Sequence, residues 1–372
     1  MASNQLKRIN RSNPVAHVTI GDVAREAGVA LGTVSNVLNH PEKVRPETIA
    51  QVQEAIDRLG YAPNQSARVL AGGSNRTFGL VLPRLDHGFY LQIATGATSQ
   101  ATKEGYSLLI ASCAGDNSRT AGFRSYFAGT QMSGMLVVAS LPELGIFVAN
   151  PPIPTVYLNA NSERNGYFVA ADAVAEGRLI TEHLIERGAE RILVVGHPAT
   201  PKLRARAEGV RGLETLYPHV DFDYLEEGST TKPAEGVSIA KKIAQMEPEL
   251  RPDGIIALSD LLASGVIAGL QAEGIRVPED MLVAGCDGNP LAWSGAVSLT
   301  TCAPTGYEIG RRGVKMLIEQ VELAKTDPAE ARRQAAQHHE TLVKPFLLAR
   351  SSSNPAGTVA ENPVHLDLGL YL

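Results

Sequence analysis

Four polar residues stand at the ends of apolar runs in the body of this chain. Asn159 follows the run TVYL, Ser259 and Asp260 follow IIAL, and Asp287 follows LVAGC. If the runs are strands of open parallel sheets, these residues mark the carboxyl edge of a sheet, where such sheets bind ligands. Their carboxylate, amide and hydroxyl groups can hydrogen-bond a polar ligand. Asp260 and Asp287 could also serve as an acid and a base, which keeps an enzyme among the hypotheses.

The elements that would position these residues form a repeating pattern of strand and helix. This alternation predicts parallel sheets with right-handed crossovers. Six or more strands over roughly 270 residues suit two sheets better than one, so we expect an α/β body of two doubly wound lobes. The expected strands are TFGLVLPRL, SLLIAS, GMLVVAS, PTVYLN, RILVVGH, GIIALSD and MLVAGCD, and the expected helices include Leu91–Glu104, Glu176–Arg187 and Leu261–Glu273.

The composition argues against several classes of protein. Of the 372 residues, 44% are apolar and 20% are charged, which is ordinary for a globular protein. No run approaches the ~18 apolar residues of a membrane span. The first 17 residues are basic and lack the apolar segment of a secretory signal, so we expect a cytoplasmic protein. The chain has three cysteines, Cys113, Cys286 and Cys302, whose spacing is unlike that of a metal site, so we expect reduced thiols and no bound metal. We expect no other cofactor.

The start of the chain predicts a helix-turn-helix head. In VTIGDVAREAGVALGTVSNVLN, Thr19 can cap a first helix with Asp22, and Gly28 can supply the turn to a second helix at about residues 31–38. A third helix, Pro46–Leu59, would cover the pair. The net charge of the chain is −5, yet residues 1–76 hold nine Lys and Arg against six acidic residues. A basic head on an acidic body favours a polyanionic partner for the head.

Several motifs resemble those of the lactose-repressor (LacI-type) family of bacterial transcription regulators. In the head these are TIGDVAREAGVALGTVSNVLN, VRPET and LGYAPNQSARVLAGG, in the family's order and spacing. In the body, GLVLP, TEHLIERGAERILVVG, SDLLASGVIAGLQAEGIRVPED and VAGCD resemble the family's effector domain. The resemblance covers roughly residues 18–350. It implies a DNA-binding repressor without enzymatic activity, controlled by a small molecule bound between two lobes of periplasmic-binding-protein type.

The resemblance also implies where DNA is contacted. The second helix would enter the major groove, with base edges read by Leu31, Gly32 and Asn36. Gly32 offers no side chain, and Ala30 replaces the usual Ser or Thr cap of this helix. Leu31 could instead be a core residue, since a single leucine at a helix start does not show whether its side chain faces the core or the solvent. The implied phosphate contacts are Thr19, Thr33, Ser35 and Asn39.

The segment PNQSARVLAGG matches the family's hinge helix, which folds on operator DNA. Leu70 corresponds to a leucine that wedges between base pairs from the minor groove and kinks the duplex. The alternative is a plain linker that does not touch DNA. The other implied hinge contacts are Asn64, Arg68 and Ala71.

For the effector, the resemblance implies a site that suits a sugar or a sugar-like molecule. Arg206 and Asp287 would face each other across the cleft. This pair suits the hydroxyl groups of a sugar, since the guanidinium donates and the carboxylate accepts hydrogen bonds. The loop DHGFY would present an aromatic pair, although it lacks the family's usual Asn-Pro, and Ser259 replaces a common Asn. Trp293 could cap the pocket or pack in the core. The implied effector contacts are Phe89, Tyr90, Asn159, Arg206, Ser259, Asp287 and Trp293.

These expectations divide the chain into five parts. A homodimer is expected, because one short helix reads too few bases and two-fold symmetry repeats the contact. Two rival functions are a solute-binding protein of a transporter and a sugar-handling enzyme on the same scaffold. The expected parts are a basic extension (1–17), the head (18–63), the hinge helix and linker (64–76), the two lobes (77–353, with passages between lobes near 171, 302 and 330) and a tail (354–372).

Overall fold

A computed structural model describes most of the chain as two compact units, with the boundary between Asn75 and Arg76. Several predicted residues lie outside the described part: the extension 1–17, the hinge residues Asn64, Arg68, Leu70 and Ala71, Trp293, and the tail from 355 onward. The described residues are 18–62, 75–114, 116, 118–138, 151–160, 162, 164–227, 232–289, 298–303 and 305–354.

The first unit contains the predicted three-helix head. Thr19 and Asp22 form the predicted reciprocal cap, in which the Asp22 N–H donates to Thr19 Oγ1 at 3.3 Å and the Thr19 N–H donates to Asp22 Oδ2 at 2.9 Å. Gly28 and Gly60 adopt left-handed backbone conformations (φ +63° and +62°) at the turn and at the end of the third helix. The helices are α1 (Ile20–Glu26), α2 (Leu31–Asn39) and α3 (Pro46–Leu59), with a 3₁₀ turn at Pro41–Lys43 between α2 and α3.

The core of the head consists of small and branched side chains. Val23 of α1, Val34 of α2 and Val52 of α3 are completely buried. Ala24 and Ala27 beside them allow α1 and α2 to cross closely. These side chains hold the three helices of the head together.

The second unit contains the two predicted parallel sheets. The first sheet has six parallel strands in the order β11-β5-β4-β3-β1-β2. Strand β3 reads GMLVV and is buried along its whole length, as expected for a parallel sheet that is covered on both faces. Its strands are β1 (Thr77–Leu82), β2 (Ser107–Ser112), β3 (Gly134–Val138), β4 (Thr155–Leu158), β5 (Gly166–Ala171) and β11 (His338–Val343), and its helices are α4 (Gly88–Lys103), α5 (Arg119–Gly129), α10 (Thr305–Thr326) and α11 (Pro328–Ala335).

The second sheet has four parallel strands in the order β7-β6-β8-β9. A separate antiparallel pair, β10 and β12, lies in the same unit. The strands are β6 (Arg191–Val195), β7 (Asp221–Leu225), β8 (Gly254–Ala257), β9 (Leu282–Ala284), β10 (Thr301–Ala303) and β12 (Phe346–Leu348), and the helices are α6 (Ala173–Glu186), α7 (Pro201–Arg211), α8 (Pro233–Ala244) and α9 (Asp260–Ala272), with a 3₁₀ turn at Pro248–Leu250.

The passages between the lobes differ from the prediction at one point. The chain leaves the six-stranded sheet after β5, which ends at Ala171, and returns to it after β10. The expected third passage near residue 330 is wrong. The polar segment around it forms α11 and then β11, which pairs with β5 from His338 to Val343, so the chain leaves the first sheet only after Val343.

The three cysteines are free and buried in the second unit, as the sequence predicted: Cys113, Cys286 and Cys302. Within the described part of the chain, none of the helices is both long and apolar enough to cross a membrane.

Candidate functional site

Helix α2 turns the predicted base-reading residues toward solvent. The Leu31 side chain is 55% exposed, which excludes the alternative of a core leucine. Gly32 is exposed, and a Cβ built on it would meet no atom within 4 Å in the described structure. Asn36 lies exposed one turn further along. The first turn of α2 therefore presents a narrow, largely apolar surface on which a groove wall can approach the backbone.

The predicted phosphate contacts are partly occupied by local hydrogen bonds. Ala30 supplies no side-chain cap to α2, as expected. The Thr19 hydroxyl donates to Asp22 Oδ2 at 2.7 Å, and the Asn39 amide donates to the Ser35 carbonyl at 3.0 Å. Thr33 lies half-buried in the first turn of α2. Thr19 and Asn39 are thus held in fixed positions at the outer ends of α1 and α2.

The described head is not itself basic. Residues 18–62 carry four Lys and Arg against six acidic residues. Arg58 is also paired, since it donates to Glu26 at 2.7 Å and to Glu54 at 2.6 Å. The excess positive charge of the first 76 residues lies in the two flanking segments, where no acidic residue occurs: Lys7, Arg8, Arg11, Arg68 and Arg76.

In the second unit, Arg206 is the centre of a buried ion network. Its Nε donates to Glu176 Oε2 at 2.6 Å, its Nη1 to the Leu258 carbonyl at 2.7 Å, and its Nη2 to Asp287 Oδ1 at 2.7 Å. The expectation that Arg206 and Asp287 face each other across a cleft is wrong. Helix α7 follows β6 and Asp287 follows β9 at the same edge of the four-stranded sheet, so the two residues bond directly within one lobe.

The charges of this network stabilise one another. Burial opposes the charge on Arg206, but Asp287 and Glu176 outweigh it and raise the pKa of the guanidinium further. Burial also opposes ionisation of Asp287, but Arg206 and Lys202 outweigh it and hold the pKa of that carboxyl below its ordinary value. Asp287 has a backbone φ of +132°, a strained conformation for a residue with a side chain. Such strain is concentrated at functional sites.

Lys202 is a cleft residue that the sequence analysis missed. It lies one turn before Arg206 on α7, and its ammonium is 3.5 Å from Asp287 Oδ1. The same ammonium lies over the Phe89 ring of the other lobe, 4.0 Å from the ring centroid. The i, i+4 spacing from Arg206 was the available signal, because residues at that spacing share a helix face.

Asp260 occupies a second buried acidic position beside Asp287. Its Oδ1 accepts a hydrogen bond from the Thr301 hydroxyl at 2.7 Å, and its Oδ2 accepts one from the Asn289 backbone N–H at 2.6 Å. Burial, with the nearby charge of Asp287, raises the pKa of Asp260 from 3.8 to about 7. Two neighbouring carboxyls thus have pKa values that are shifted in opposite directions.

The aromatic pair lies on a helix rather than on a loop. Helix α4 begins at Gly88, since the N–H groups of Tyr90 and Leu91 donate to the His87 carbonyl at 3.0 and 3.2 Å. Phe89 is therefore buried beneath Lys202, and Tyr90 stacks at a tilt on the His87 ring, with 4.7 Å between centroids. Burial lowers the pKa of His87, which favours its neutral form.

Two further predicted contacts have structural roles of their own. The Ser259 hydroxyl caps α9 by accepting a hydrogen bond from the Leu262 N–H at 3.2 Å. Asn159 follows β4 with a left-handed backbone (φ +55°) and donates its N–H to the Val169 carbonyl at 2.8 Å. Both lie at the carboxyl edge of their sheet, where the sequence placed them.

The first turn of α4 also touches the loop after β9. The Gln92 amide donates to the Gly288 carbonyl, and Gly88 packs so tightly on the Asn289 side chain that a Cβ would collide with it. Together with Lys202 over Phe89, these contacts connect the two lobes at the carboxyl edges of both sheets. This region, which we call the cleft, brings together Phe89, Lys202, Arg206, Asp260 and Asp287.

Two family models match this chain. The head, residues 19–64, matches the model of bacterial regulatory proteins of the lacI family. Residues 181–353 match a periplasmic binding protein-like domain.

Known proteins resemble the chain along most of its length. The HTH-type transcriptional repressor PurR of Aliivibrio fischeri (strain MJ11) is 30% identical over 339 residues, which cover 89% of this chain and 99% of that protein. A structure of the transcriptional regulator CelR in complex with cellobiose is 25% identical, has a TM-score of 0.60, and matches 90% of this chain and 100% of its own.

A structure of the lac repressor dimer bound to operator and the anti-inducer ONPF has the same fold. It is 23% identical, has a TM-score of 0.73, and matches 91% of this chain and 99% of its own. These relatives are transcription regulators and not enzymes or transport proteins. The chain therefore belongs to the LacI family of bacterial DNA-binding transcription regulators.

Proposed function

We propose that this protein is a repressor that binds a pseudo-palindromic operator as a homodimer and is controlled by a small polar effector in the cleft. The observation that carries the proposal is the outward display of Leu31, Gly32 and Asn36 on the first turns of α2. Leu31 can contact a thymine methyl group, and Asn36 can pair with an adenine edge. The protein would act in the cytoplasm, where operator DNA is found.

Phosphate contacts complete the proposed DNA interface. Thr19, Thr33, Ser35 and Asn39 supply hydroxyl and amide groups around α2. Neutralisation of phosphate charge is assigned to the basic flanking segments, because residues 18–62 carry more acidic than basic side chains. The proposed hinge contacts Asn64, Arg68, Leu70 and Ala71 belong to the second of these flanks.

An exposed apolar surface of the second unit supports the homodimer. Strand β2 is an edge strand, and its Leu109 and Ile110 side chains are each 41% exposed. Leu91 on the adjacent helix α4 is 46% exposed. Leu109 and Ile110 point to opposite faces of the sheet, so both sides of this edge strand expose a large apolar side chain. A second copy of the chain is the occupant we propose, and the relative of known structure that was solved on operator is itself a dimer.

The effector is proposed to be a sugar or sugar derivative. Asp287 accepts and Lys202 donates hydrogen bonds, while the buried Phe89 ring supports the Lys202 ammonium from below. Tyr90, Asn159, Ser259 and Trp293 are the further effector contacts that we propose. Arg206 is bonded on three nitrogen atoms inside the protein, so its role is to hold Asp287 in place. The resemblance to a regulator solved with cellobiose supports this class of ligand.

Footprinting on DNA from the promoter region of the protein's own gene tests the DNA function. Two mirrored protected half-sites and a two-fold complex are expected. A single asymmetric footprint bound by a monomer would refute the homodimer. Leu109→Lys together with Ile110→Lys should weaken dimerisation and operator binding together, since both depend on the β2 surface.

Calorimetric titration with a panel of sugars, sugar acids and nucleosides tests the effector site. Lys202→Met should lower the affinity for the ligand that binds, because it removes the more exposed of the two cleft cations, Lys202 and Arg206. Lys232→Met, on an exposed lysine before α8, is the matched control. Equal ligand affinity of wild type and Lys202→Met would remove Lys202 from the site.

A further inference from the structure

A cavity of about 540 Å³ lies at the edge of the six-stranded sheet opposite to the cleft. It is bounded by the amino ends of β4 and β5, the last turns of α10, and helix α11. Strand β4 begins at the cavity with Thr155 and ends beside the cleft at Leu158, so the two regions are at opposite ends of one strand. The volume is in the range of sites that bind small molecules.

Most of the cavity wall is apolar and rigid. Tyr167 presents its aromatic ring at the start of β5, and Leu323 closes the wall from α10. The Tyr167 ring is fixed from behind by His339, with parallel rings and 4.6 Å between centroids. Pro152 and Pro154 restrict the backbone along another side. A planar apolar group can therefore enter without a large rearrangement of the wall.

Two polar groups at this cavity are suited to an anion. Gln320 is 9% exposed, and its Nε2 has no hydrogen-bond partner among the described residues, which is costly for a buried donor. Arg332 on α11 also lines the cavity and makes no salt bridge with a described residue. No acidic side chain occurs among the described lining residues. The wall thus carries one positive charge and one unused amide donor.

We propose that this cavity is a second small-molecule site, which binds an aromatic carboxylate. The aromatic body would lie against Tyr167 and Leu323. The carboxylate would accept hydrogen bonds from the Arg332 guanidinium and from Gln320 Nε2. This site is separate from the cleft and does not depend on the proposed effector.

Binding of 2-naphthoate to the full-length protein tests the proposal, with 2-naphthamide as the uncharged comparison. Equilibrium dialysis should show one naphthoate per chain and an affinity for the amide about tenfold weaker, because a charge-assisted hydrogen bond is lost. Arg332→Gln should lower the affinity for naphthoate by about tenfold and leave the affinity for the amide nearly unchanged. Arg333→Gln is the matched control, because its neighbouring guanidinium already pairs with Glu330.

Two more variants keep the test independent of folding. Ala331→Trp should fill the cavity from α11 and abolish naphthoate binding, while the midpoint of thermal unfolding stays near that of wild type. Gln320→Leu should lower the affinity for naphthoate. The midpoint of thermal unfolding should not fall, because the amide donor that is lost had no partner among the described residues. Absence of saturable naphthoate binding, or equal binding by wild type, Arg332→Gln and Ala331→Trp, would overturn the proposal. A large loss of stability in Gln320→Leu would contradict the unpaired state of that amide.

Discussion

The first turns of α2 carry the predicted base-reading residues Leu31, Gly32 and Asn36, which we call the reading surface, and their environment is the opposite of that in the cleft of the second unit. Leu31, Gly32 and Asn36 are exposed and can be changed without disturbing a neighbour. Arg206 and Asp287 are buried and depend on each other through a 2.7 Å ion pair. We therefore expect substitutions on the reading surface to change DNA binding without changing stability, and substitutions in the cleft to change ligand binding and stability together.

The largest effect is expected for Arg206→Ala. This substitution leaves Glu176 buried without a cation and Asp287 with Lys202 alone, which costs about 3–5 kcal/mol of unfolding free energy. Urea unfolding of the second unit measures the loss. Arg204→Ala, an exposed position on the same helix, should cost less than about 0.5 kcal/mol. Equal stability of the two variants would show that the cleft network is not what holds this region together.

The next effect concerns Leu70, which lies outside the described residues. If Leu70 wedges into the minor groove, Leu70→Ala removes the apolar surface that offsets unstacking, a cost of a few kcal/mol in operator affinity. Affinity for unrelated DNA should hardly change, because it depends on phosphate neutralisation. Operator affinity and circular-permutation bending measure the effect. Wild-type values in both assays would favour the plain linker.

A smaller effect is the pH dependence contributed by Asp260. Its folded-state pKa of about 7 exceeds the ordinary value of 3.8, so the folded protein holds a proton that the unfolded chain has released. The associated stability is complete below pH 3.8 and is lost as the pH rises through about 7. Unfolding free energies of wild type and Asp260→Asn should therefore diverge with pH, by at most about 1.4 kcal/mol per unit. Parallel pH profiles would contradict the raised pKa.

The smallest effect is expected on the reading surface. Leu31→Ala should lower operator affinity by about 1 kcal/mol, several-fold, through loss of contact with a thymine methyl group. Its stability should remain within about 0.5 kcal/mol of wild type, since Leu31 is 55% exposed. Val34→Ala, three residues later and fully buried, should show the reverse, with a stability loss of about 2 kcal/mol. A stability loss in Leu31→Ala would place that side chain in the core after all.

The contrast also explains which features could be predicted from the sequence. The ends of α2 and α3 were predicted to within one residue, and the start of α1 was predicted from the Thr19 cap, because caps, glycine turns and helical periodicity are local signals. The two parallel sheets followed from the alternation of apolar runs and helices. The same alternation predicted that Asn159, Ser259 and Asp287 lie at the carboxyl edges of the sheets.

The internal contacts of the cleft could not be predicted in this way. The bonds that join Glu176, Arg206 and Asp287 connect three elements far apart in sequence, and no local pattern specifies them. Lys202 was missed because its partners, Asp287 and Phe89, belong to other elements. The third passage between lobes was misplaced because β11 is polar and is recognisable only by its pairing with β5.

We propose that the cleft and the reading surface are coupled, and reciprocal binding tests this coupling most directly. Once the calorimetric panel identifies a ligand, its affinity should be measured for the free protein and for the protein saturated with operator duplex. Coupling requires that operator changes ligand affinity by the same factor by which ligand changes operator affinity. We predict equal factors of at least about fivefold, which is the lower end of typical coupling. A ligand whose affinity is the same with and without operator would contradict effector control of DNA binding.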